Sequence, residues 1–364
     1  MKYIHQAVDW PTFRWNAEKL APVLAQARFQ QGRLLGRMSS LGFSLQAEAG
    51  LENLSLDVLK SSAIEGEMLN AQEVRSSLGK RLGVDVGGLA QTSRNVEGIV
   101  ELAIDATQRL DLPLTEERLF RWHSLLFSGR FPGISHIGAY RTAAMDPMQV
   151  VSGYYGHEVV HYEAPSASRL EGEMTAFFAW FNGGPAMDPV LQAALAHLWF
   201  VTIHPFADGN GRIARAIADC ALAKAEGVPM RFYSLSSQIE KERKAYYEIL
   251  EATQKGSLDI TGWLVWFVGC FGRALEGADT LVENVLRKAR VWELASHHTV
   301  NERQRKVLNR LLDGFEGKLT SSKYAKLTDC SHDTALRDIK MLVGYGLLQE
   351  EGTSRRGASY TLMA

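Results

Sequence analysis

The chain has 364 residues, more than a single hydrophobic core usually holds, so two or three domains are expected. With 46% hydrophobic and 22% charged residues, its composition is typical of a soluble globular protein. The formal net charge is −1, which excludes a globally basic protein of the histone or ribosomal type.

The spacing of the cysteines and the length of the apolar stretches indicate the cellular compartment of the protein. Cys220, Cys270 and Cys330 lie far apart and form no C-x-x-C pair, so neither a disulfide framework nor a structural zinc site is expected. The N-terminus reaches Asp9 without an apolar run, which argues against a signal peptide. The most apolar stretch, 189–203, is too short to span a membrane. These features predict a cytoplasmic protein that does not enter a membrane.

Helical periodicity covers most of the chain, and the first predicted helices are 16–40, 51–67 and 71–82. Thr115 is the predicted N-cap of a later helix. The residues that this helix would turn inward are Leu119, Trp122, His123, Leu125 and Leu126. The helical pattern resumes at about residue 167 and continues to about residue 292.

The segment 129–165 is rich in Gly, Pro and Ser and differs from its helical surroundings. Two short pieces with β propensity, 149–151 and 158–162, flank a stretch at 152–156 that can turn. The pattern predicts a β-hairpin set among helices.

The last part of the chain has a different order of elements. Helices are predicted at 302–312, 320–327 and 331–343, with Ser331 as the N-cap of the third, and a short hairpin follows. Three helices and a hairpin in this order are typical of a winged helix-turn-helix domain.

The most informative segment is His204–Arg215, which reads HPFADGNGRIAR between two predicted helices. Gly209 and Gly211 let backbone N–H groups converge, and the N-terminus of the following helix adds positive partial charge, so the turn can bind an anion. Arg212 and Arg215 are spaced to reach a polyphosphate from one side. The segment is not a P-loop, because it lacks the G-x-x-x-x-G-K-[ST] pattern.

Two further residues of this segment carry reactive groups. Asp208 offers a hard oxygen ligand for Mg²⁺ beside the turn, and His204 can accept a proton near neutral pH. A base, a metal ligand, an anion site and two cations are what nucleophilic attack on a nucleotide phosphate requires.

The segment resembles the signature of the Fic family, H-P-F-x-[DE]-G-N-G-R with a second Arg three residues on. The resemblance implies transfer of AMP from ATP to a Ser, Thr or Tyr hydroxyl of a target protein, and of this protein itself. It implies that His204 is the base and that Asp208 holds Mg²⁺. It also implies an anion hole at Gly209, Asn210 and Gly211. The phosphate-binding residues would be Arg212 and Arg215. The kinase-like branch of the family has Ala and Lys in place of Gly209 and Gly211, so AMP transfer is favoured.

The sequence SSAIEG at 61–66 resembles the inhibitory motif of the family, [ST]-x-x-x-E-[GN]. Ser61 and Glu65 are four residues apart and therefore share a helix face. The resemblance implies that Glu65 pairs with Arg215 where the γ-phosphate would lie, so that ATP binds unproductively.

Two other regions resemble parts of the family. The predicted hairpin corresponds to the flap on which a target segment adds as a strand, and its candidate docking residues are Val159, Val160, His161 and Tyr162. Tyr246 and Tyr247 resemble an aromatic pair beside the nucleotide, although such a pair can equally be core. Gln254 falls where some relatives carry a polar nucleotide contact.

The expected architecture is therefore mainly α: a Fic-type helical core with a β-hairpin flap, an N-terminal helical region and a C-terminal winged helix-turn-helix. The expected boundaries are 1–95 with the inhibitory helix, 96–290 for the catalytic core and 298–364 for the winged helix. The opening segments 9–15 and 31–37 also resemble the region that precedes bacterial Fic cores with a C-terminal winged helix.

The C-terminal region has eleven basic and eight acidic residues in 301–364, a net charge of +3. Its third helix resembles a recognition helix, and Arg355 and Arg356 at the wing tip could reach phosphate. Contact with DNA and contact with protein both stay open, and so does a homodimer. Two other functions also stay open: removal of AMP from a modified protein at the same site, and transcriptional regulation by a nucleotide-sensing core.

Overall fold

The structure is a computed structural model of the chain, and contacts between Cα atoms divide it into two compact units. The first unit comprises residues 1–84 and 90–279, and the second comprises 85–89 and 280–364. The structure describes residues 2–39, 41–84, 86, 90–129, 136–153, 156–183, 187–227, 231–312, 315, 317–354 and 357–363, without the side chains of 280, 281, 352–354 and 357.

The first unit begins with helices that match two of the three predicted spans closely. They are α1 (Ala17–Ser39), α2 (Phe43–Ile64) and α3 (Ala71–Leu82). The prediction of 51–67 for α2 was wrong at both ends. Gly50, just outside the predicted span, is buried inside the helix. The helix ends at Ile64 because Gly66 adopts a left-handed φ of +85° that no helix continues through.

The next two helices lie before and after Thr115, the predicted N-cap. They are α4 (Arg94–Gln108) and α5 (Glu116–Leu126). The Thr115 side chain accepts a hydrogen bond from Arg118 N, which confirms it as the cap of α5. Of the residues predicted to point inward, four are buried and Leu125 is half-buried.

The predicted hairpin is present as β1 (Gln149–Ser152) and β2 (Val159–Glu163), an antiparallel pair. Val150 pairs with Tyr162 and Val151 pairs with Val160, so His161 occupies an irregularity in the register. The outcome confirms a hairpin among helices in this part of the chain.

Among the remaining helices of the first unit, two consecutive ones are largely buried. The elements are α6 (Leu170–Gly183), α7 (Pro189–Ile203), α8 (Asn210–Glu226), α9 (Leu235–Lys241), α10 (Arg243–Gln254) and α11 (Thr261–Ser296), the last of which ends in the second unit. In α7 nearly every residue is buried, and α8 is buried from Ile213 to Ala223. A helix that is apolar on all sides belongs in a core. The turn between α7 and α8 is therefore anchored at both ends by the most buried part of the unit.

The second unit contains α12 (Glu302–Leu312), α13 (Ser321–Thr328), α14 (His332–Gly344), β3 (Leu348–Ser354) and β4 (Gly357–Leu362). Its core includes Val307, Leu319, Tyr324 and Ile339. The Ser331 side chain accepts from Thr334 N, as predicted for the cap of α14.

The order of three helices and an antiparallel hairpin is thus observed in the second unit. The winged-helix assignment, the boundaries 1–95, 96–290 and 298–364, the homodimer and the DNA or protein contact stay predictions. Arg355 and Arg356 lie outside the described residues.

The mainly helical class is confirmed, since strands occur only as two hairpins in the described residues. Across the part of the chain that the structure describes, no helix is long and apolar enough to cross a membrane.

Candidate active site

The turn between α7 and α8 is held in an unusual backbone conformation. His204 ends α7 with a left-handed φ of 53°, and Gly209 precedes α8 with a φ of 79°. The Asn210 side chain closes the loop between them, because its Oδ1 accepts from Phe206 N at 3.0 Å and its Nδ2 donates to Phe206 O at 2.8 Å. The turn is therefore rigid, and the Asn210 amide is engaged in shaping it.

One ring nitrogen of His204 forms a hydrogen bond, and the pKa of the imidazole is lowered. Its Nδ1 lies 3.2 Å from Val201 O, and since a carbonyl can only accept, Nδ1 carries the proton and Nε2 is the basic atom. Arg141, a buried residue that the sequence analysis did not single out, donates from Nε to His204 O at 2.8 Å. Burial lowers the pKa of His204 to about 4. The imidazole is therefore neutral at pH 7 and can accept a proton at Nε2.

The N-terminus of α8 offers N–H groups for an anion. The groups of residues 210, 211 and 212 have no intrahelical acceptor, because the first backbone bond of the helix runs from Ile213 N to Gly209 O. A Cβ at Gly209 would overlap the side chain of Leu126, so glycine is needed there for packing as well as for its φ. The orphan N–H groups and the helix dipole are the features that would favour an anion at this end of α8.

Asp208 lies just before these groups, and its chemistry fits Mg²⁺. Its side chain is exposed, and Oδ1 accepts from Gly209 N at 2.6 Å. The imidazole of His123, buried and stacked on Phe206, lies with Nε2 3.3 Å from Asp208 O and fixes the backbone. Among the described residues no three metal-ligating side chains cluster. Mg²⁺ often takes a single carboxylate together with phosphate oxygens, and that arrangement suits this position.

Arg215 is enclosed by the C-terminal end of α2. Its guanidinium is 2% exposed, and Nη1 lies 2.9 Å from Glu65 Oε1. Nε donates to Ser61 Oγ at 3.0 Å, and Nη2 donates to Ser61 O at 2.8 Å. Although burial opposes ionisation, the Arg215 charge lowers the pKa of Glu65 below its usual range. The structure thus brings together the predicted pair and the serine one helical turn earlier.

Arg212 is paired with a residue that the sequence analysis missed. Its Nη1 lies 2.6 Å from Glu67 Oε2, and its guanidinium carbon lies 5.2 Å from the centre of the Phe127 ring. Glu67 lies one residue beyond the segment 61–66 that resembles an inhibitory motif, so the resemblance gave no signal for it.

The two tyrosines predicted beside the nucleotide lie in different environments. Tyr247 is 40% exposed, and its hydroxyl is 3.4 Å from Glu65 Oε2. Tyr246 is 1% exposed and its hydroxyl lies 2.9 Å from His197 Nε2 in the core. Tyr247 therefore lies at the exposed edge of the site, whereas Tyr246 lies beside Arg215 on the buried side, and a nucleotide contact for either stays a prediction. Gln254 is buried and donates to Thr202 Oγ1 at 3.3 Å.

The four predicted docking residues of the hairpin also differ among themselves. Val159 is 56% exposed and Val160 is half-buried. His161 Nδ1 lies 2.7 Å from Glu251 Oε2 of α10. Tyr162 is buried and donates to Thr202 O at 2.7 Å, so its side chain anchors the base of the hairpin. Docking of a target on this hairpin stays a prediction.

Sequence models of two families match the chain. The Fic/DOC family matches residues 113–222, which contain α5, the hairpin, α7 and most of α8. A domain of unknown function, DUF4172, matches residues 3–84, which contain α1 to α3 and therefore Ser61, Glu65 and Glu67.

Curated relatives carry the name "Protein adenylyltransferase Fic". The protein from Culex quinquefasciatus is 26% identical over 272 residues, which cover 72% of this chain and 50% of the relative. The protein from Aedes aegypti is 26% identical over 270 residues, with the same coverage of 72% and 50%. The chain spans about half the length of the curated relatives it matches.

Two solved structures have similar folds. A Fic family protein from Desulfovibrio desulfuricans aligns with a TM-score of 0.54 at 20% identity, covering 94% of this chain and 96% of the other. A Fic domain containing signaling protein from Bacteroides thetaiotaomicron aligns with a TM-score of 0.50 at 19% identity, covering 73% of this chain and 98% of the other. The signature at 204–215 thus lies within the region, residues 113–222, that matches the Fic/DOC family.

Proposed function

We propose that the chain is a protein adenylyltransferase that transfers AMP from ATP to a Ser, Thr or Tyr hydroxyl of a target protein, including itself. The observation that carries the proposal is a neutral His204 at the start of a rigid turn that leads to the orphan N–H groups of α8 and to Arg212 and Arg215. The printed name of the curated relatives supports the same activity.

The reaction is a displacement at the α-phosphorus of ATP. The target hydroxyl oxygen forms the new bond to phosphorus, the bond to the oxygen bridging the α- and β-phosphates breaks, and pyrophosphate leaves. His204 Nε2 takes the hydroxyl proton, for which a neutral imidazole is required. When bound at Asp208, Mg²⁺ would supply positive charge to the phosphates.

The residues of α8 stabilise the negative charge of the phosphates. The N–H groups of residues 210–212 are fixed before substrate arrives, so they need little reorganisation. Arg212 and Arg215 would hold the β- and γ-phosphates by charge-assisted hydrogen bonds. Both are nearly buried, at 9% and 2% exposure, which strengthens their electrostatic effect on a bound anion.

We further propose that the protein is autoinhibited by Glu65. The Glu65 carboxylate occupies Arg215, and a guanidinium engaged by a fixed anion is not available to a phosphate. The hydrogen bonds from Arg215 to Ser61 and from Tyr247 to Glu65 support this placement of the end of α2. The target would add to the exposed hairpin as a strand, aligned by main-chain bonds.

The test is incorporation of labelled AMP from α-labelled ATP into proteins of the source lysate and into the enzyme itself. Glu65→Gly should raise labelling, and His204→Ala should lower it by at least about 100-fold, the usual contribution of a general base. An exposed histidine substituted in the same way, His332→Ala, serves as the control and should leave labelling unchanged.

Two results would contradict the proposal. Equal labelling by wild type and His204→Ala would remove the histidine from the chemistry. Release of AMP from a modified target, lost in Glu65→Gly, would instead identify removal of AMP as the activity.

A further inference from the structure

A second carboxylate lies beside the site, two residues after Glu65. Glu67 Oε2 lies 2.6 Å from Arg212 Nη1, and Glu67 Oε1 accepts a hydrogen bond from Asn95 Nδ2 of α4, also at 2.6 Å. Both oxygens are therefore engaged. A side chain with both carboxylate oxygens fixed by different helices has a defined position.

The backbone explains why residues 65 and 67 both reach α8. Gly66 N donates to Ala63 O at 3.0 Å, Glu67 N donates to Ser62 O at 3.0 Å, and Gly66 has a φ of +85°. These are the two bonds of a Schellman motif, which reverses the chain at the end of a helix. The motif places one acid on each side of its glycine, so one turn carries Glu65 to Arg215 and Glu67 to Arg212.

The burial of Arg212 makes its ion pair with Glu67 important for the affinity of this cation for other anions. The Arg212 side chain is 9% exposed, and its Nε is buried without a hydrogen-bond acceptor among the described residues. Nor has the buried Oδ1 of Asn95 a donor among them. Glu67 thus compensates a cation that is largely removed from water, and such a charge attracts a replacement anion strongly once its partner leaves.

We propose that Glu67 is a second inhibitory carboxylate, which withholds Arg212 from ATP as Glu65 withholds Arg215. The inference rests on the proposed function, in which both arginines bind the polyphosphate. Together the acids put two negative charges where two phosphates would lie. Because one turn carries both, displacement of this turn releases both arginines, whereas removal of Glu65 alone leaves Arg212 occupied.

The test compares Glu65→Gln, Glu67→Gln and the double variant, each with its carboxylate replaced by a neutral group of the same shape. Glu48→Gln is the matched control, since it breaks an ion pair between α2 and Arg75 without touching Arg212. Affinity for Mg²⁺-ATP is measured by calorimetry in the His204→Ala background, where turnover is blocked. AMP incorporation is measured with His204 intact.

Glu67→Gln should tighten ATP binding about tenfold, the effect expected for one charge-assisted bond to a partly buried cation. It should also raise AMP incorporation, and the double variant should exceed both single variants. Asn95→Ala, which frees the other oxygen of Glu67, should change affinity in the same direction by a smaller factor. Glu48→Gln should match wild type in both measurements.

The inference and the function on which it rests can fail separately. If Glu65→Gln activates while Glu67→Gln and Asn95→Ala leave ATP affinity and incorporation unchanged, the role of Glu67 is overturned and the function stands. If Glu67→Gln tightens ATP binding but no variant incorporates AMP, the role of Glu67 is supported and adenylyl transfer is overturned.

Discussion

Arg215 Nη1 lies 2.9 Å from Glu65 Oε1, although the two residues are 150 positions apart in the chain. The Arg215 side chain is 2% exposed and the Glu65 side chain is 32% exposed, so the acid lies on the solvent side of a buried cation. The contact joins residues 3–84, matched by a family of unknown function, to the Fic domain. The proposed control of the site by this N-terminal region rests on this contact.

The first prediction concerns Ser61, whose hydroxyl accepts from Arg215 Nε at 3.0 Å. Ser61→Ala removes one hydrogen bond to a charged group, worth about 1.5–3 kcal/mol, while Ser61 O still accepts from Nη2. We expect AMP incorporation to rise several-fold, less than in Glu65→Gly. The measurement is labelling of the enzyme itself at fixed time.

The neighbouring serine provides the control for this change. Ser62 is 1% exposed, and its Oγ has no partner among the described residues, so Ser62→Ala removes no hydrogen bond to Arg215. Equal labelling by Ser61→Ala and Ser62→Ala would show that the Ser61 hydroxyl has no part in restraint.

The second prediction concerns Gly66, whose φ is +85° and whose Cβ position is open space. Gly66→Ala should cost about 1–2 kcal/mol, because an L-residue is strained in the left-handed region. The chain can relieve this strain by leaving the Schellman turn, which moves Glu65 and Glu67 away from their arginines. We therefore expect a lower melting temperature together with higher AMP incorporation.

Gly83→Ala separates the two effects of that substitution. Gly83 ends α3 with a φ of +68°, and its Cβ position is also open. The melting temperature should fall by a similar amount while labelling stays at the wild-type level. A rise in labelling in both variants would attribute it to general loosening of the fold instead.

Local sequence signals predicted those parts of the structure that depend on neighbouring residues. Thr115 and Ser331 cap their helices as expected, because a hydroxyl satisfies N–H groups only three residues away. The turn from His204 to Arg215 was recognised because its residues are contiguous. In α2, however, buried packing at Gly50 overrides the low helix propensity of glycine.

Contacts between residues far apart in the chain could not be predicted from local sequence patterns. Glu67 and Arg212 are 145 residues apart, and Arg141 reaches His204 O across 63 residues. Nothing near either residue in the sequence marks these pairs. The two tyrosines illustrate a different limit: adjacent residues on a helix point about 100° apart, so Tyr246 is buried and Tyr247 is exposed although both lie near the Glu65–Arg215 pair.

The third prediction concerns pH, since buried histidines stay neutral in the folded protein. Burial lowers the pKa of His5 to about 4 and that of His197 to about 3. In the unfolded chain a histidine takes up a proton near pH 6.5. Below that pH the unfolded state binds more protons, so the stability from these groups is present above about pH 6.5 and is lost as the pH falls towards 4.

Buried acids with a raised pKa, such as Asp57 and Glu226, act in the opposite direction. Burial and the neighbouring Asp219 raise the pKa of Asp57 above its usual range, despite the nearby Arg231. Above about pH 4 the unfolded chain releases this proton while the folded state holds it more tightly, so Asp57 favours folding as the pH falls towards 4. His123 and His204, whose pKa values burial also lowers to about 4, add to the histidine effect, and we expect net loss of stability in acid.

His197→Gln isolates one histidine from this sum, with glutamine able to keep a hydrogen bond to the Tyr246 hydroxyl. Between pH 7.5 and 5.5 a histidine that ionises only when unfolded contributes a loss of about 1 kcal/mol. The free energy of unfolding should therefore fall by about 1 kcal/mol less in His197→Gln than in wild type. Urea titrations followed by tryptophan fluorescence report the unfolding of the first unit, because all tryptophans except Trp292 lie there.

The control, His136→Asn, changes an exposed histidine with a φ of 60° that asparagine tolerates, and should keep the wild-type pH dependence. Identical pH dependence in all three proteins would mean that His197 does not remain neutral in the fold.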